Sequence, residues 1–279
     1  MTLSSEFRTD LYKGTAPYYD RYRPPYPAAL FDDLCERAAV AGPGNMLDLA
    51  CGTGQVALPL AKRFFEVWAV DQEPESVAYG RNKAERLGVT NITWVAGSAE
   101  TVTLDGASDL ITIGNAFQRL NRSAVAKRLL SWLKPGGSLA LIWGDSPWRG
   151  DRPWQAAVEE VFLEWVAKTG ATDRVPAGWE AAMVNDPHEQ VLRRSGFSYL
   201  GKFVWVVEQT WDVETLTGFL YSTSFLNRDV LGDRSVEFEK EFAERLLPYA
   251  TDGKFYESAS YAYELARRPR SLGTKNKSR

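Results

Sequence analysis

The sequence predicts an α/β protein: a doubly wound sheet of seven strands, mostly parallel with an antiparallel last strand, carrying helical cap insertions. Three observations predict it. Short apolar runs alternate with helical patterns between residues 45 and 143, as they do when crossover helices join parallel strands. A glycine-rich turn, Cys51-Gly-Thr-Gly54, follows the first apolar run. An acidic residue, Asp71, ends the second.

Taken in order, residues 45–50 are a short apolar run and hence a buried strand. A helix is expected over about 55–63, where Pro59 forces a kink or a late start. Residues 66–70 form the next strand. Pro74 suits the first position of a helix that runs to about residue 87 and is closed by Gly88. Strands follow at 91–95 and 108–113. Val125, Leu129, Trp132 and Leu133 make an apolar helical stripe ended by Lys134-Pro-Gly-Gly137, and 139–143 is the fifth strand. Beyond it, Trp154, Val158, Val161, Phe162 and Trp165 stand at helical spacing over 153–168. A helix over 189–194, a strand over 199–208, two helices within 213–247 and a last strand over 255–266 complete the reading. Segments 145–185 and 210–252 are then a helical substrate cap. With no internal repeat or linker before residue 268, one domain over 1–268 is expected, followed by a disordered basic tail, 269–279.

Composition excludes several classes. At 279 residues, 44% hydrophobic and 25% charged, with a mean hydropathy of −0.31, the chain has the balance of a soluble globule. It has no apolar run of the roughly 18 residues that a membrane span needs and no apolar signal segment near its start. Cys35 and Cys51 are too few for a disulfide scaffold, and one histidine excludes a multi-histidine metal site. Formal net charge is −3, but residues 266–279 hold six Lys/Arg and no acid, leaving 27 basic against 36 acidic residues elsewhere. An acidic body repels nucleic-acid phosphates. The expectation is a cytoplasmic monomer or homodimer acting on a small molecule, with no nucleic acid, membrane or metal partner.

The glycine turn admits two readings. Gly52 and Gly54 let backbone approach a ligand at the carboxyl end of a strand, and Asp71 suits both hydroxyls of a ribose. Gly52-x-Gly54-x-x-Ala57 with Asp71 beyond also matches a dinucleotide fingerprint. Against a dinucleotide stand the long segment before the first strand, the two strands at the chain's end, and Asp48. This carboxylate would repel a pyrophosphate but welcome a methionine ammonium.

The motifs resemble those of class I S-adenosylmethionine-dependent methyltransferases, over about residues 11–268. Asp48-Leu-Ala-Cys-Gly-Thr-Gly54 resembles their first motif and Val70-Asp71-Gln72 their ribose-binding motif. Gly97-Ser-Ala-Glu100 resembles the adenine-side segment, usually Gly-Asp-Ala-Glu, with Ser98 replacing the acid. Leu133-Lys-Pro-Gly-Gly137 resembles the turn before the fifth strand. The closer similarity is to small-molecule enzymes of the ubiquinone-biosynthesis and trans-aconitate type. Tyr19-Asp-Arg-Tyr-Arg-Pro-Pro-Tyr-Pro27 is similar to their N-terminal segment, where Tyr and Arg close over the cofactor's methionine end. Gly218-Phe-Leu-Tyr-Ser-Thr-Ser-Phe225 resembles a cap helix. Gly114-Asn-Ala-Phe-Gln-Arg119 resembles a loop often written Ala-Phe-His-Trp, with Gln118 replacing the histidine. The resemblance implies a Rossmann-like core over 41–144 and covering helices over 1–40. It implies S-adenosylmethionine, with S-adenosylhomocysteine as product, held by Tyr18, Arg23, Asp48, Ala50, Cys51, Gly52, Gly54, Asp71, Gln72, Ser98, Ala99, Glu100, Asn115 and Phe117.

Methyl transfer from a sulfonium is an in-line displacement, so positioning is the main catalytic device. Whether a base is needed depends on the acceptor. Asp145, two residues beyond the fifth strand, is one candidate to take a proton or orient an ammonium, or else a loop or capping aspartate. His188, at a helix start remote from the strand ends, is the other candidate, or else a surface or cap residue. Asn115-Ala-Phe117 supplies neither the acidic cluster of metal-dependent catechol methylation nor the two prolines of nucleic-acid amino-methyltransferases. Most cap aromatics should pack, and a few should face a sugar or a cation. With the acidic body, this points to an amine-bearing acceptor, an amino sugar of an aminoglycoside-like antibiotic, contacted by Gln118, Asp145, Trp148 and Tyr221.

Overall fold

The computed structural model describes residues 10–40, 42–174 and 179–270. Its strands are β1 (Asn45–Leu49), β2 (Glu66–Asp71), β3 (Ile92–Ala96), β4 (Ser108–Gly114), β5 (Leu133–Gly144), β6 (Ser198–Trp211) and β7 (Phe255–Arg267). They form one sheet in the order β3-β2-β1-β4-β5-β7-β6. The first five pair in parallel, and β7 runs antiparallel to both β5 and β6. The helices are α1 (Ala16–Tyr22), α2 (Ala28–Ala38), α3 (Ala57–Leu60), α4 (Pro74–Arg86), α5 (Arg122–Trp132), α6 (Pro153–Lys168), α7 (Trp179–Asn185), α8 (His188–Arg194), α9 (Val213–Tyr221), α10 (Arg228–Leu231) and α11 (Ser235–Leu246).

Each crossover helix buries an apolar stripe on the sheet. One face carries α2, α3 and α4 through Leu30, Leu34, Leu60 and Val77, and the other carries α5 and α8 through Val125, Leu129, Val191 and Leu192. A separate aromatic core joins α6, α9 and α11 through Trp165, Phe219, Phe238 and Phe242. Burial of this extent stabilises by about 1.5–3 kcal/mol per large side chain. No helix among the described residues is long and apolar enough to cross a membrane.

Several expectations need adjusting. Pro59 gives the late start: α3 begins at Ala57, and a 3-10 turn, Ala61–Arg63, finishes it. Leu133 does not end a helix but opens β5 opposite Ser108, and the register shift beside that pair absorbs Lys134-Pro-Gly-Gly137 into the strand. Three helices, not two, lie within 213–247. From residue 271 onward the expected basic tail lies outside the described residues.

The strand order reverses at β1, whose neighbours β2 and β4 lead away in opposite directions. Open α/β sheets place their ligand crevice outside the carboxyl ends of the strands at such a point. Here the loops after β1 and β4 border it.

Candidate active site

The loop after β1 is shaped by left-handed backbone at Ala50, Gly52 and Gly54, with φ of 56°, 54° and 86°. A Cβ built on Gly52 meets no atom within 4 Å, and the residue lies on a cavity wall. The Gly52 N–H donates to Asp71 Oδ2 at 2.8 Å and the Glu73 N–H to Oδ1 at 2.9 Å. Two backbone donors thus aim the Asp71 carboxylate. Burial raises its pKa and those two donors oppose the rise.

This first cavity, about 630 Å³, is lined by Ala50, Gly52, Asp71, Gln72, Ser98, Ala99, Glu100 and Asn115 of the residues expected from sequence. The Ser98 hydroxyl donates to Glu100 Oε2 at 2.6 Å, fixing that rim. Sequence reasoning missed Leu11, Tyr12, Thr15 and Tyr19, which also line it, together with Glu73, Ser76 and Arg119. The segment that contributes Leu11 to Tyr19 is tied down by the Gly14 N–H to Glu75 at 2.7 Å and by the Lys83–Asp20 ion pair.

A second cavity, about 1050 Å³, shares Tyr12, Tyr19, Asn115, Ala116 and Arg119 with the first. It runs under α7 and α8 and is lined by Arg23, Phe117, Gln118, Asp145, Trp148, Phe162, His188 and Glu264, among others. Trp148 stacks on Phe162 with ring centres 4.8 Å apart. Asn115, at φ 51°, is held at the junction by its N–H to the Ile142 carbonyl, 2.8 Å. Burial raises Asp145, while Lys202 and Arg149 pull it back. Glu264 Oε2 is buried with no hydrogen-bond partner among the described residues.

Six residues expected at the donor do not line the first cavity, and Tyr221, expected at the acceptor, lines neither. Tyr18 faces the cap core, edge-on to Tyr221 at 5.3 Å, and its neighbour Tyr19 takes the cavity wall. Asp48 is 1% exposed and accepts the Ala57 N–H at 3.0 Å and the Thr112 hydroxyl at 2.7 Å. Burial raises its pKa to about 7, Thr112 and Ala57 opposing. Cys51 is buried in the core beneath the loop. Gly54 serves packing, because a Cβ there would stand 2.6 Å from the Trp94 ring. Phe117 and Arg23 border the second cavity and not the first. Tyr221, 4% exposed, donates to Glu239 at 2.6 Å within the cap and lines neither cavity.

His188 is not remote: it lines the second cavity, edge-on to Phe117 at 5.1 Å. Its Nδ1 lies 3.4 Å from the Arg122 guanidinium, which can only donate, so the ring proton belongs on Nε2. Burial first and then Arg122 push its pKa down to about 4, Asp186 opposing, so the ring is neutral at physiological pH. Arg23 donates to Ser222 at 2.7 Å and lies over Phe219. Gln118 donates to the Asn115 carbonyl at 3.0 Å.

Residues 46–137 match the family described as "Methyltransferase domain". An uncharacterized methyltransferase of Mycobacterium tuberculosis is 32% identical over 126 residues, 45% of this chain and 48% of that protein. The chain thus spans about half the length of the first curated relatives it matches. An uncharacterized methyltransferase of Schizosaccharomyces pombe is 25% identical over 224 residues, 80% of each chain. Among solved structures, a protein of Anaeromyxobacter dehalogenans described as a type II methyltransferase superposes with a TM-score of 0.61 at 23% identity, covering 89% of this chain and 98% of that one. One described as a methyltransferase of Bacillus halodurans gives 0.53 at 21%, covering 87% and 100%. At such identities the solved structures share the fold, and the sequence match covers residues 46–137. Residues 46–137 thus match a methyltransferase domain, set in a fold shared with solved structures described as methyltransferases.

Proposed function

We propose that the chain methylates a nitrogen of a polar, amine-bearing small molecule, an amino sugar of the aminoglycoside-like type being the acceptor class, with S-adenosylmethionine as methyl donor. The observation that carries this reading is the pair of cavities joined at Tyr19, Asn115 and Arg119. The first suits the donor. Asp71 has a lone pair free on each oxygen for ribose hydroxyls after accepting Gly52 and Glu73. The open space over Gly52 suits a ligand lying close to backbone, and Ser98 to Glu100, on the same cavity wall, suit the adenine side. When bound, the donor supplies an electrophilic methyl on a sulfonium.

The rest falls to the chain's own residues. Tyr12, Tyr19 and Asn115 line both cavities and so bound the passage from donor to acceptor. Alignment of reactants of this kind accounts for about 7–11 kcal/mol of a barrier. The second cavity suits a cation. Asp145, Glu159 and Glu264 line it, Oε2 of Glu264 is buried with no partner among the described residues, and Trp148 and Phe162 offer ring surface. An amine attacks once neutral, so it needs only somewhere for its proton to go. We assign that to Asp145 on the cavity wall, whereas His188, at about 4, holds a proton poorly.

A second reading is favoured by Arg23, Arg119 and Arg149 on the same cavity: a carboxylate acceptor, methylated on oxygen. Mass spectrometry after incubation with S-adenosylmethionine and a panel of amino sugars, amines, phenols and carboxylic acids tests both. A product one CH2 heavier, with fragments placing the methyl on nitrogen, supports the amine reading. An ester product moves the assignment to the second. Absence of S-adenosylmethionine binding by calorimetry overturns both.

A further inference from the structure

β6 is the outermost strand of the sheet, bonded on one side to β7 and, among the described residues, to no other strand. It is 14 residues long. An edge of this kind is a template for pairing unless proline, a bulge or an inward charge blunts it. β6 contains no proline, its one register shift falls at Tyr199/Gly201, and beyond that it pairs regularly to Trp211. It also shows water an apolar row: Leu200, Val204 and Val206 are 44, 52 and 66% exposed.

The order of side chains along this edge is close to a palindrome. Lys202-Phe-Val-Trp-Val-Val-Glu208 reads outward from Trp205 as aromatic or aliphatic residues on both sides, ended by a cation at one end and an anion at the other. The exposed face carries Lys202, Val204, Val206 and Glu208. The half-buried face carries Phe203, Trp205 and Val207, with Trp205 stacked on Tyr263 at 5.4 Å between ring centres.

We propose that β6 pairs antiparallel with β6 of a second copy of this chain, about a two-fold axis through Trp205, joining the two sheets into one. In that register each Lys202 faces the partner's Glu208, each Val204 faces the partner's Val206, each Phe203 faces the partner's Val207, and the two Trp205 rings meet at the axis. Every pair is like with like in polarity or opposite in charge, and the two-fold makes each favourable pair twice. Neighbouring registers lose this match. A shift of two residues in either direction sets Lys202 against the partner's Val206 or Glu208 against the partner's Val204. A shift of one brings the exposed face of one strand beside the half-buried face of the other. The occupant is therefore a second copy in one register, and the charges select it.

The test is the oligomeric state of the full chain by sedimentation equilibrium at micromolar concentrations. The wild type is expected to be a dimer. Glu208→Lys, which gives up only a hydrogen bond from the exposed Ser258 hydroxyl within the chain, places two like-charged pairs across the axis and should weaken association roughly 30-fold. Lys202→Glu should do the same, and the double variant Lys202→Glu/Glu208→Lys should restore the dimer. Val206→Lys is an independent probe of the apolar row and should also give monomer, with unfolding curves confirming that each variant is folded. A monomeric wild type overturns the proposal. So does a dimer indifferent to Glu208→Lys and Val206→Lys, or a double variant that fails to reassociate while still folded.

Discussion

Asp48 lends itself to a quantitative test because its whole environment is internal to the chain. It is 1% exposed, and burial lifts its pKa from the usual 3.8 to about 7 against the pull of the Thr112 hydroxyl and the Ala57 N–H. A shift of that size means that ionising it in the fold costs about 4 kcal/mol more than in the unfolded chain. The sign follows from proton counting. Between the two pKa values the folded state holds the proton and the unfolded state has lost it, so stability falls as pH rises through this window. The contribution is fully present below the unfolded value and gone above about 7. Asp48→Asn keeps the shape and an acceptor for the Ala57 N–H but cannot ionise. Urea unfolding of both proteins in steps from about pH 4 to about pH 8 should give a difference in stability that shifts by about 4 kcal/mol in favour of the variant as pH rises. Parallel profiles would refute the reasoning and show that the buried carboxylate is ionised, or solvated, throughout.

The two glycines of the loop should separate by readout. Gly52→Val, on an open cavity wall, should abolish S-adenosylmethionine binding in calorimetry with a modest loss of stability from its positive φ, whereas Gly54→Val should chiefly lower the melting temperature because its side chain meets Trp94. Asp71→Ala should weaken donor binding by about 1–3 kcal/mol, about 5- to 150-fold, since it removes a charge-assisted acceptor and releases the Gly52 N–H; unchanged affinity would contradict the site. His188 is neutral in the fold down to about 4, so wild-type stability should fall as pH drops below the ordinary histidine value of 6.5, and His188→Phe should flatten that limb of the curve. Asp145→Asn should lower turnover with donor affinity near wild type, and unchanged turnover would remove it from proton transfer.

The strands and the glycine turn were legible because each rests on local pattern: an apolar run of strand length, a turn residue, a helix start at Pro74. The identity of the wall residues was less so, and the tyrosines show why. Tyr18 and Tyr19 are adjacent, and only the rotation of α1 decides which faces the cavity. That rotation is set far along the chain: Gly218 of α9 has no Cβ, and the Tyr22 ring occupies the space one would fill. Tyr18, one helical turn before Tyr22, is thereby carried to the same side, stacked on Tyr22 and against Tyr221, and Tyr19 is left for the cavity. His188 was likewise misplaced because sequence distance says nothing of which sheet face α8 covers.

The burial of Asp48 is a different case, since the sequence carries the signal for it. Side chains of a strand alternate in direction, so Asp48 must point the same way as Met46 and opposite to Leu47 and Leu49. Met46 lies in the core beneath α2 and α3, while Leu47 and Leu49 belong to the core on the other face. A carboxylate on the Met46 side is therefore committed to the buried layer where α3 begins, and the groups available there are the Ala57 N–H and the Thr112 hydroxyl. Its place in the motif is explained by holding β1, β4 and the start of α3 in one arrangement. Asp71 differs: its strand ends at the crevice and it lines the cavity wall.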